Sequence, residues 1–386
     1  MAKRKKILVL CDAPTIKTGL SRVGRELANR FHRDNYEVYY AGWFHNPLPH
    51  EYPFYICQVI RNHSDESGWI RTLIRKTKPD IFLAIGDIWY FDYCSGIFEQ
   101  LKKEGIEIPE RWLYLTLDAE PFFPDWMGTV KAFTKVYPQS QFAVNEIQKV
   151  DPYFTGKAVW LGVDKKTFYP MAEKPKWKDR FVVMVNGYNC SRKNIPASLK
   201  AFAKFAYDKE DVLLFINSQL NTQVGTDLKR QIFQYGIQFK TVFDKDKSDN
   251  KEVPDSTVNT YYNSADCLLF TSTGEGFGLP ILEAFSTKTL VLATNYTTTD
   301  ELIGKDRGIK LKVAEYFTGE YELQRALVDV DDTVEKLNFV YADWKNGKPE
   351  AKKLTENAYD FVQDLTWEKT YREILSKPKV EEWKTF

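Results

Sequence analysis

The residues best suited to chemistry lie in the second half of the chain. Thr271-Ser-Thr-Gly-Glu-Gly-Phe-Gly-Leu-Pro-Ile-Leu-Glu-Ala284 runs from an apolar, strand-like segment into a helical pattern. Its glycines, Gly274, Gly276 and Gly278, alternate, and a residue without a Cβ lets the backbone approach a ligand closely. Pro280 suits the first turn of a helix, and a helix N-terminus offers free N–H groups and positive potential to phosphate. The pattern predicts Glu275 in the loop and Glu283 in the first helical turn. Two carboxylates beside such a helix end are costly next to a bare anion, but they suit a ligand that also presents sugar hydroxyls as donors. No Ser or Thr stands three residues before Glu283, so a capping box does not explain it.

A second cluster is Asn186-Gly-Tyr-Asn-Cys-Ser-Arg-Lys-Asn194, between a strand and a helix that opens at Ile195-Pro196. Arg192 and Lys193 fall at the helix entrance, where cations oppose the dipole. Two fixed cations there can neutralise a diphosphate leaving group and stabilise its developing charge. The third cluster is Asp118-Ala-Glu-Pro121, at the end of the apolar Leu113–Leu117. Asp118 can orient a sugar hydroxyl or the acceptor, or simply cap local N–H groups, and the two readings stand level.

Other patterns point away from metals and disulfides. The four histidines, His32, His45, His50 and His63, lack i,i+4 spacing and read as lone surface residues. The five cysteines form no C-x-x-C pair, so neither a zinc site nor a disulfide framework is supported, and a reducing cytoplasm fits best. Two D-x-D strings could hold Mg²⁺. However, Asp244-Lys-Asp246 sits in a polar stretch and Asp329-Val-Asp331, followed by Asp332-Thr333, reads as a helix start. No metal site and no cofactor are therefore expected.

The elements that must position these residues follow from hydrophobic patterning. Short apolar runs at Ile7–Cys11, Val38–Trp43, Ile81–Gly86 and Leu113–Leu117 alternate with amphipathic stretches, as in a parallel α/β sheet. Leu20, Val23, Leu27 and Phe31 fall at helical spacing after Thr18-Gly19, completing a βαβ unit. The pattern restarts after Tyr169-Pro170, with strands predicted at Phe181–Val185, Val212–Ile216, Cys267–Thr271 and Leu290–Ala293. A last helical stretch, Lys353 to Ser376, is expected to pack back on the first domain. With 386 residues, 43% hydrophobic and 28% charged, the chain can bury two cores, which excludes disordered and collagen-like classes. Lys and Arg number 54 against 53 Asp and Glu, a net charge of +1, so no global field attracts nucleic acid or membrane. Met1-Ala-Lys-Arg-Lys-Lys6 leads into an apolar run too short for a signal peptide or a membrane span.

The chain resembles the retaining glycosyltransferases of family 4. The resemblance rests on an E-x7-E signature, Glu275 through Glu283, with Tyr262-Asn-Ser-Ala-Asp266 upstream and Glu301-Leu302 downstream. Gly162-Val-Asp164 with Phe168 and Pro170 is similar to the family's interdomain segment, and Thr18-Gly-Leu-Ser-Arg-Val-Gly24 to its first glycine loop. Ser140-Gln-Phe142 and Thr366-Trp367 match weaker positions. The resemblance implies an α/β fold of GT-B architecture, two Rossmann-like doubly wound domains facing across a cleft. It divides the chain into an acceptor domain over 1–170, a nucleotide-sugar-binding domain over 171–360 and a helical segment over 361–386 that packs back on the first. It also implies transfer of a sugar from a nucleoside diphosphate sugar to an acceptor hydroxyl, without a metal and with retention. Lys193, Arg192, Glu275 and Asp118 take catalytic roles; Gly19, Gly276, Phe277, Gly278, Leu279 and Glu283 bind the donor. Two departures stand out: the family arginine position is occupied by Gly187, which Arg192 can compensate, and no histidine follows Leu117.

Those departures keep open a non-catalytic sugar-nucleotide-binding or regulatory protein on the same scaffold. A nicotinamide dehydrogenase is disfavoured, because Asp12–Gly24 lacks G-x-G-x-x-G. The acceptor stays open among glycan, lipid, protein and hydroxylated nucleic-acid base, as do the donor's sugar and base. Nucleic acid is admitted only as an acceptor. The aromatic stretch Trp43–Tyr55 and the basic residues Arg71, Arg75, Lys76 and Lys78 could track phosphates, although a solvated helix face explains the latter more simply.

Overall fold

The structure, a computed structural model, describes residues 4–47, 49–60, 65–244 and 253–376. The chain divides into two compact units, one of residues 1–117, 121–161 and 367–386, the other of 118–120 and 162–366.

In the first unit β1 (Lys6–Asp12), β2 (Glu37–Trp43), β3 (Tyr55–Val59), β4 (Ile81–Asp87), β5 (Glu110–Thr116) and β6 (Lys135–Pro138) form one sheet in the order β3-β2-β1-β4-β5-β6. Every pairing is parallel, with Leu8 opposite both Tyr39 and Phe82. Central strands of such a sheet are covered on both faces, and Leu8, Leu10, Phe82, Ala84, Leu113 and Leu115 are fully buried accordingly. The helix Gly19–Arg33 starts where Thr18 accepts a hydrogen bond from the Ser21 N–H, and it buries Val23, Leu27 and Phe31. Among the predicted strands of this half β3 is missing. It is an edge strand in which only Val59 is fully buried, so burial imposes no continuous apolar run on it.

The predicted helical stretch from Lys353 to Ser376 is two helices. Pro349–Val362 belongs to the second unit, whereas Trp367–Ser376 belongs to the first. In the first unit Tyr371 meets Phe31 edge-on with ring centroids 5.0 Å apart. The Tyr137 hydroxyl donates to the Ile374 carbonyl at 2.7 Å, and Arg33 pairs with Glu368 at 2.8 Å.

The second unit repeats the plan with β7 (Phe181–Asn186), β8 (Val212–Asn217), β9 (Thr241–Phe243), β10 (Cys267–Phe270), β11 (Leu290–Thr294) and β12 (Ile309–Leu311), ordered β12-β11-β10-β7-β8-β9. Again all pairings are parallel. Phe181, Val183, Leu199, Phe202, Leu214, Leu269 and Leu292 form its core; each such side chain contributes roughly 1.5–3 kcal/mol on burial. Chain order changes direction between the neighbouring strands β7 and β10. In open α/β sheets ligands bind outside the carboxyl ends of strands at such a switch point. The loops leaving these two strands are Asn186–Asn194 and Thr271–Gly278, the two clusters singled out in the sequence. An antiparallel hairpin, β13 (Val313–Thr318) and β14 (Gln324–Val328), follows the sheet. No helix among the described residues is long and apolar enough to cross a membrane.

Candidate active site

The glycine loop after β10 is closely packed. A Cβ on Gly274 would stand 2.1 Å from the Asp118 carbonyl oxygen, so only glycine lets Asp118–Glu120 lie against this loop. Gly278 adopts φ 104°, a left-handed conformation that side chains resist, and it caps the helix Leu279–Ser286. Because the helix begins only after this cap, Glu283 is its fifth residue and lies in the second turn, not in the first as expected. The next helix, Thr297–Ile303, clamps the loop from its own first turn. The Glu275 N–H donates to Thr297 Oγ1 at 3.0 Å, and the Thr298 hydroxyl donates to the Gly276 carbonyl at 3.0 Å.

On this frame the predicted charges converge. Arg192 and Lys193 occupy a single 3-10 turn, Ser191–Lys193, ahead of the helix Ile195–Phe205. Lys193 Nζ lies 2.5 Å and Arg192 Nη1 2.9 Å from the same oxygen of Glu275, which is 5% exposed. Arg192 Nη1 also donates to the Gly274 carbonyl at 2.9 Å, and its Nε lies 3.4 Å from Asp118 Oδ2. The other oxygen of Asp118 meets Arg325 Nη2 at 3.0 Å. Lys193 Nζ sits 4.9 Å from the Phe270 ring centre, a cation–π contact.

The cluster sets its own protonation. Burial alone would raise the Glu275 carboxyl, but Arg192 and Lys193 overcome it and hold the group at about 2, against an ordinary 4.5. For Lys193 burial is the largest effect and lowers its pKa, with the Arg192 charge adding to the lowering and Glu275 opposing it. Arg192 is raised despite burial, by Glu275 and Asp118. At neutral pH the carboxylate is thus ionised between two cations.

Glu283, 6% exposed, is oriented by a polar relay. The Tyr262 hydroxyl donates to Glu283 Oε2 at 2.8 Å and accepts from Asn186 Nδ2 at 2.6 Å, and Asn186 Oδ1 accepts from Asn217 Nδ2 at 2.9 Å. The ends of β7 and β8 therefore fix a carboxylate on the helix after β10.

Residues 167–361 match the model of a family described as Glycosyl transferases group 1. The chain belongs to this family. A search of curated proteins finds no match. Solved structures share its two-domain GT-B fold. Sucrose-phosphate synthase (tll1590) from Thermosynechococcus elongatus superposes with a TM-score of 0.75 at 15% identity, over 96% of this chain and 97% of that one. A glycosyltransferase from Rickettsia africae gives 0.72 at 16%, over 97% and 100%. Anabaena Alr3699/HepE in complex with UDP-glucose gives 0.70 at 16%, over 96% and 98%.

The remaining expected residues of this glycosyltransferase are distributed as follows. Phe277 is buried and Leu279 opens the helix after the loop, beside Gly276 and Gly278. Gly19 is the first residue of the helix Gly19–Arg33 in the first unit. At Gly187, where the resemblance leads one to expect an arginine, a Cβ would meet the Lys193 stem at 3.6 Å. Asp329 accepts from the Asp331 and Asp332 N–H groups as the cap of the helix Val330–Lys345, and Lys204 pairs with Asp331. Asp244 accepts from the Tyr261 hydroxyl, while Asp246 lies outside the described residues.

The reading of the histidines needs correction. His45 is 5% exposed, with its Nδ1 3.1 Å from Thr15 Oγ1, and burial followed by the neighbouring His50 lowers its pKa. Its neighbours Phe44 and Asn46 are exposed, so it is the His45 side chain itself that is buried. His63 lies outside the described residues. Of the basic stretch, Arg75 is paired with Glu104 and Arg71 with Gln100, as a solvated helix face would be. Trp43 is core, its ring N–H donating to Glu66 at 2.8 Å.

Arg325, Tyr262 and Thr297 were not singled out as site residues. Arg325 lies on the hairpin, whose strands Val313–Thr318 and Gln324–Val328 carry no apolar–polar alternation, so local pattern gave no signal for it.

Proposed function

We propose that this glycosyltransferase is a retaining, metal-independent enzyme of the family 4 type that takes its sugar from a nucleoside diphosphate sugar. The observation that carries the reading is the convergence of Lys193, Arg192 and Glu275 on the glycine loop at the β7/β10 switch point. A leaving nucleoside diphosphate develops charge on its phosphate oxygens, and fixed cations in a largely dry site stabilise that charge without reorganising. In this reading Lys193 and Arg192 hold the diphosphate, Gly276 to Leu279 approach phosphate and sugar, Glu275 accepts from sugar hydroxyls, and Glu283 accepts from the ribose. With Asp118 engaged by Arg192 and Arg325, its role is to hold these cations. The cations and the helix N-terminus supply the charge stabilisation that a metal supplies elsewhere.

Glu275 is the counter-ion of both cations. An incoming diphosphate offers them a second anion, which frees the carboxylate to accept from the transferred sugar. No nucleophile is placed on the loop in this reading. The leaving phosphate takes the acceptor proton on the face it departs from, which retains the anomeric configuration. The acceptor is a hydroxyl of undetermined class.

Thermal unfolding with a panel of nucleoside diphosphates tests the donor. HepE was solved with UDP-glucose, which makes UDP and UDP-glucose the first members. A ligand at about 100 times its dissociation constant stabilises by roughly 2.7 kcal/mol. A rise with one nucleotide that is lost in Lys193→Ala supports the reading, and no rise with any overturns it. Anomeric analysis of the product by NMR separates retention from inversion.

A further inference from the structure

The hairpin β13–β14 is joined to the site by its main chain. The Gln324 N–H donates to the Glu120 carbonyl at 2.6 Å and the Ala326 N–H to the Thr273 carbonyl at 3.0 Å. Between them Arg325 projects to Asp118, and its side chain is only 9% exposed. The arginine is accommodated by two glycines. A Cβ on Gly274 would stand 3.2 Å from Nη1, and one on Gly319 would stand 3.0 Å from Cδ. Nη1 is buried and has no hydrogen-bond partner among the described residues.

The charged groups form an ordered row: Lys193, Glu275, Arg192, Asp118, Arg325. Three cations face two carboxylates, so the row carries one net positive charge. Without Arg325 the row would be neutral, and both oxygens of Asp118 could turn to Arg192 in the bidentate geometry that arginine and carboxylate favour.

We propose that Arg325 is a positioning residue for glycosyl transfer: by holding one oxygen of Asp118 it keeps Arg192 available to the leaving diphosphate and keeps the site net positive. This rests on the donor reading above. Arg325 touches neither Glu275 nor Lys193 among its hydrogen bonds and ion pairs, and acts through Asp118. The hairpin's anchoring bonds are main-chain, so they persist when the side chain is replaced.

Isothermal titration with UDP, GDP, ADP and the corresponding nucleosides tests it, with unfolding scans to verify each variant. Arg325→Met is expected to weaken the diphosphate that binds the native enzyme by about tenfold or more, and to leave its nucleoside unaffected, because only the phosphates meet the altered charge. Asp118→Asn combined with Arg325→Met removes one charge of each sign and is expected to recover most of the lost affinity. Arg325→Lys, which keeps the charge, is expected to lie within about threefold of the native enzyme. The proposal is overturned if Arg325→Met binds like the native enzyme, if the double variant binds no better than the single one, or if Arg325→Lys loses as much as Arg325→Met. Lys193→Ala separates the two levels: if it too binds every diphosphate like the native enzyme, the donor reading itself fails. If it weakens binding while Arg325→Met does not, only the role of Arg325 falls.

Discussion

Replacing Glu275 by glutamine keeps the shape of the side chain and removes the charge between Arg192 and Lys193. The carboxyl is held at about 2 in the folded protein against an ordinary 4.5, a difference that corresponds to about 3 kcal/mol of folding stability. Its folded pKa is depressed, so this contribution is fully present above pH ~4.5 and is lost as pH falls through about 2. At pH 3, by the same linkage, about half of it remains. Glu275→Gln is therefore expected to be less stable than the native enzyme by up to about 3 kcal/mol at pH 7 and by about half that at pH 3. The figure at pH 7 is an upper one, since Lys193, already lowered by burial, can shed its proton once its counter-ion is gone. Urea unfolding at the two pH values measures the gap. The same variant is expected to bind a nucleoside diphosphate at least as tightly as the native enzyme, because the ligand no longer competes with an internal anion, while sugar transfer is lost. A gap that is equal at both pH values, or absent at pH 7, would refute the electrostatic reasoning.

Three further outcomes follow from the geometry. Lys193→Ala should abolish the nucleotide-induced rise in melting temperature, since it removes the cation 2.5 Å from Glu275; thermal unfolding with and without UDP reads this directly. Gly274→Ala should cost about 1–3 kcal/mol and most of the activity, because its methyl group would fall 2.1 Å from the Asp118 carbonyl and force the loop apart; denaturant titration and a transfer assay measure both effects. Tyr262→Phe should weaken nucleoside diphosphate binding several-fold and cost about 1–3 kcal/mol, as it withdraws one donor from the buried Glu283 carboxylate. Unchanged affinity in that variant would show that the relay does not serve the ligand.

Much of this protein was legible in its sequence because the signals are local. Fully buried parallel strands must be continuous apolar runs, and those at Ile7, Ile81, Phe181, Val212 and Leu290 show where each sheet lies. Glycines at alternate positions and a proline two residues into a helix announce the loop Thr271–Gly278 from its backbone requirements alone. The two cations before Ile195 stood out because cations oppose the dipole at a helix entrance, and the pair Glu275 and Glu283 because they flank a loop and helix start suited to an anion. Edge elements were illegible for the converse reason: Tyr55–Val59, Thr241–Phe243 and the hairpin strands are short and partly exposed, so burial imposes little pattern on them.

Tertiary structure alone decided which charges meet. Glu275 lies 82 residues from Lys193, and Asp118 lies 207 residues from Arg325. Only the parallel order of β7 beside β10, and the threading of β14 between Glu120 and Thr273, brings them within bonding distance. A charge acts on its neighbours in space, and sequence spacing beyond a few residues carries no information on that distance. The same holds for His45, whose burial depends on what packs over the end of β2, and for Glu283, whose partner Tyr262 comes from the preceding helix. The kinds of groups available to the reaction were written in the chain; their arrangement, and the added charge of Arg325, came from the fold.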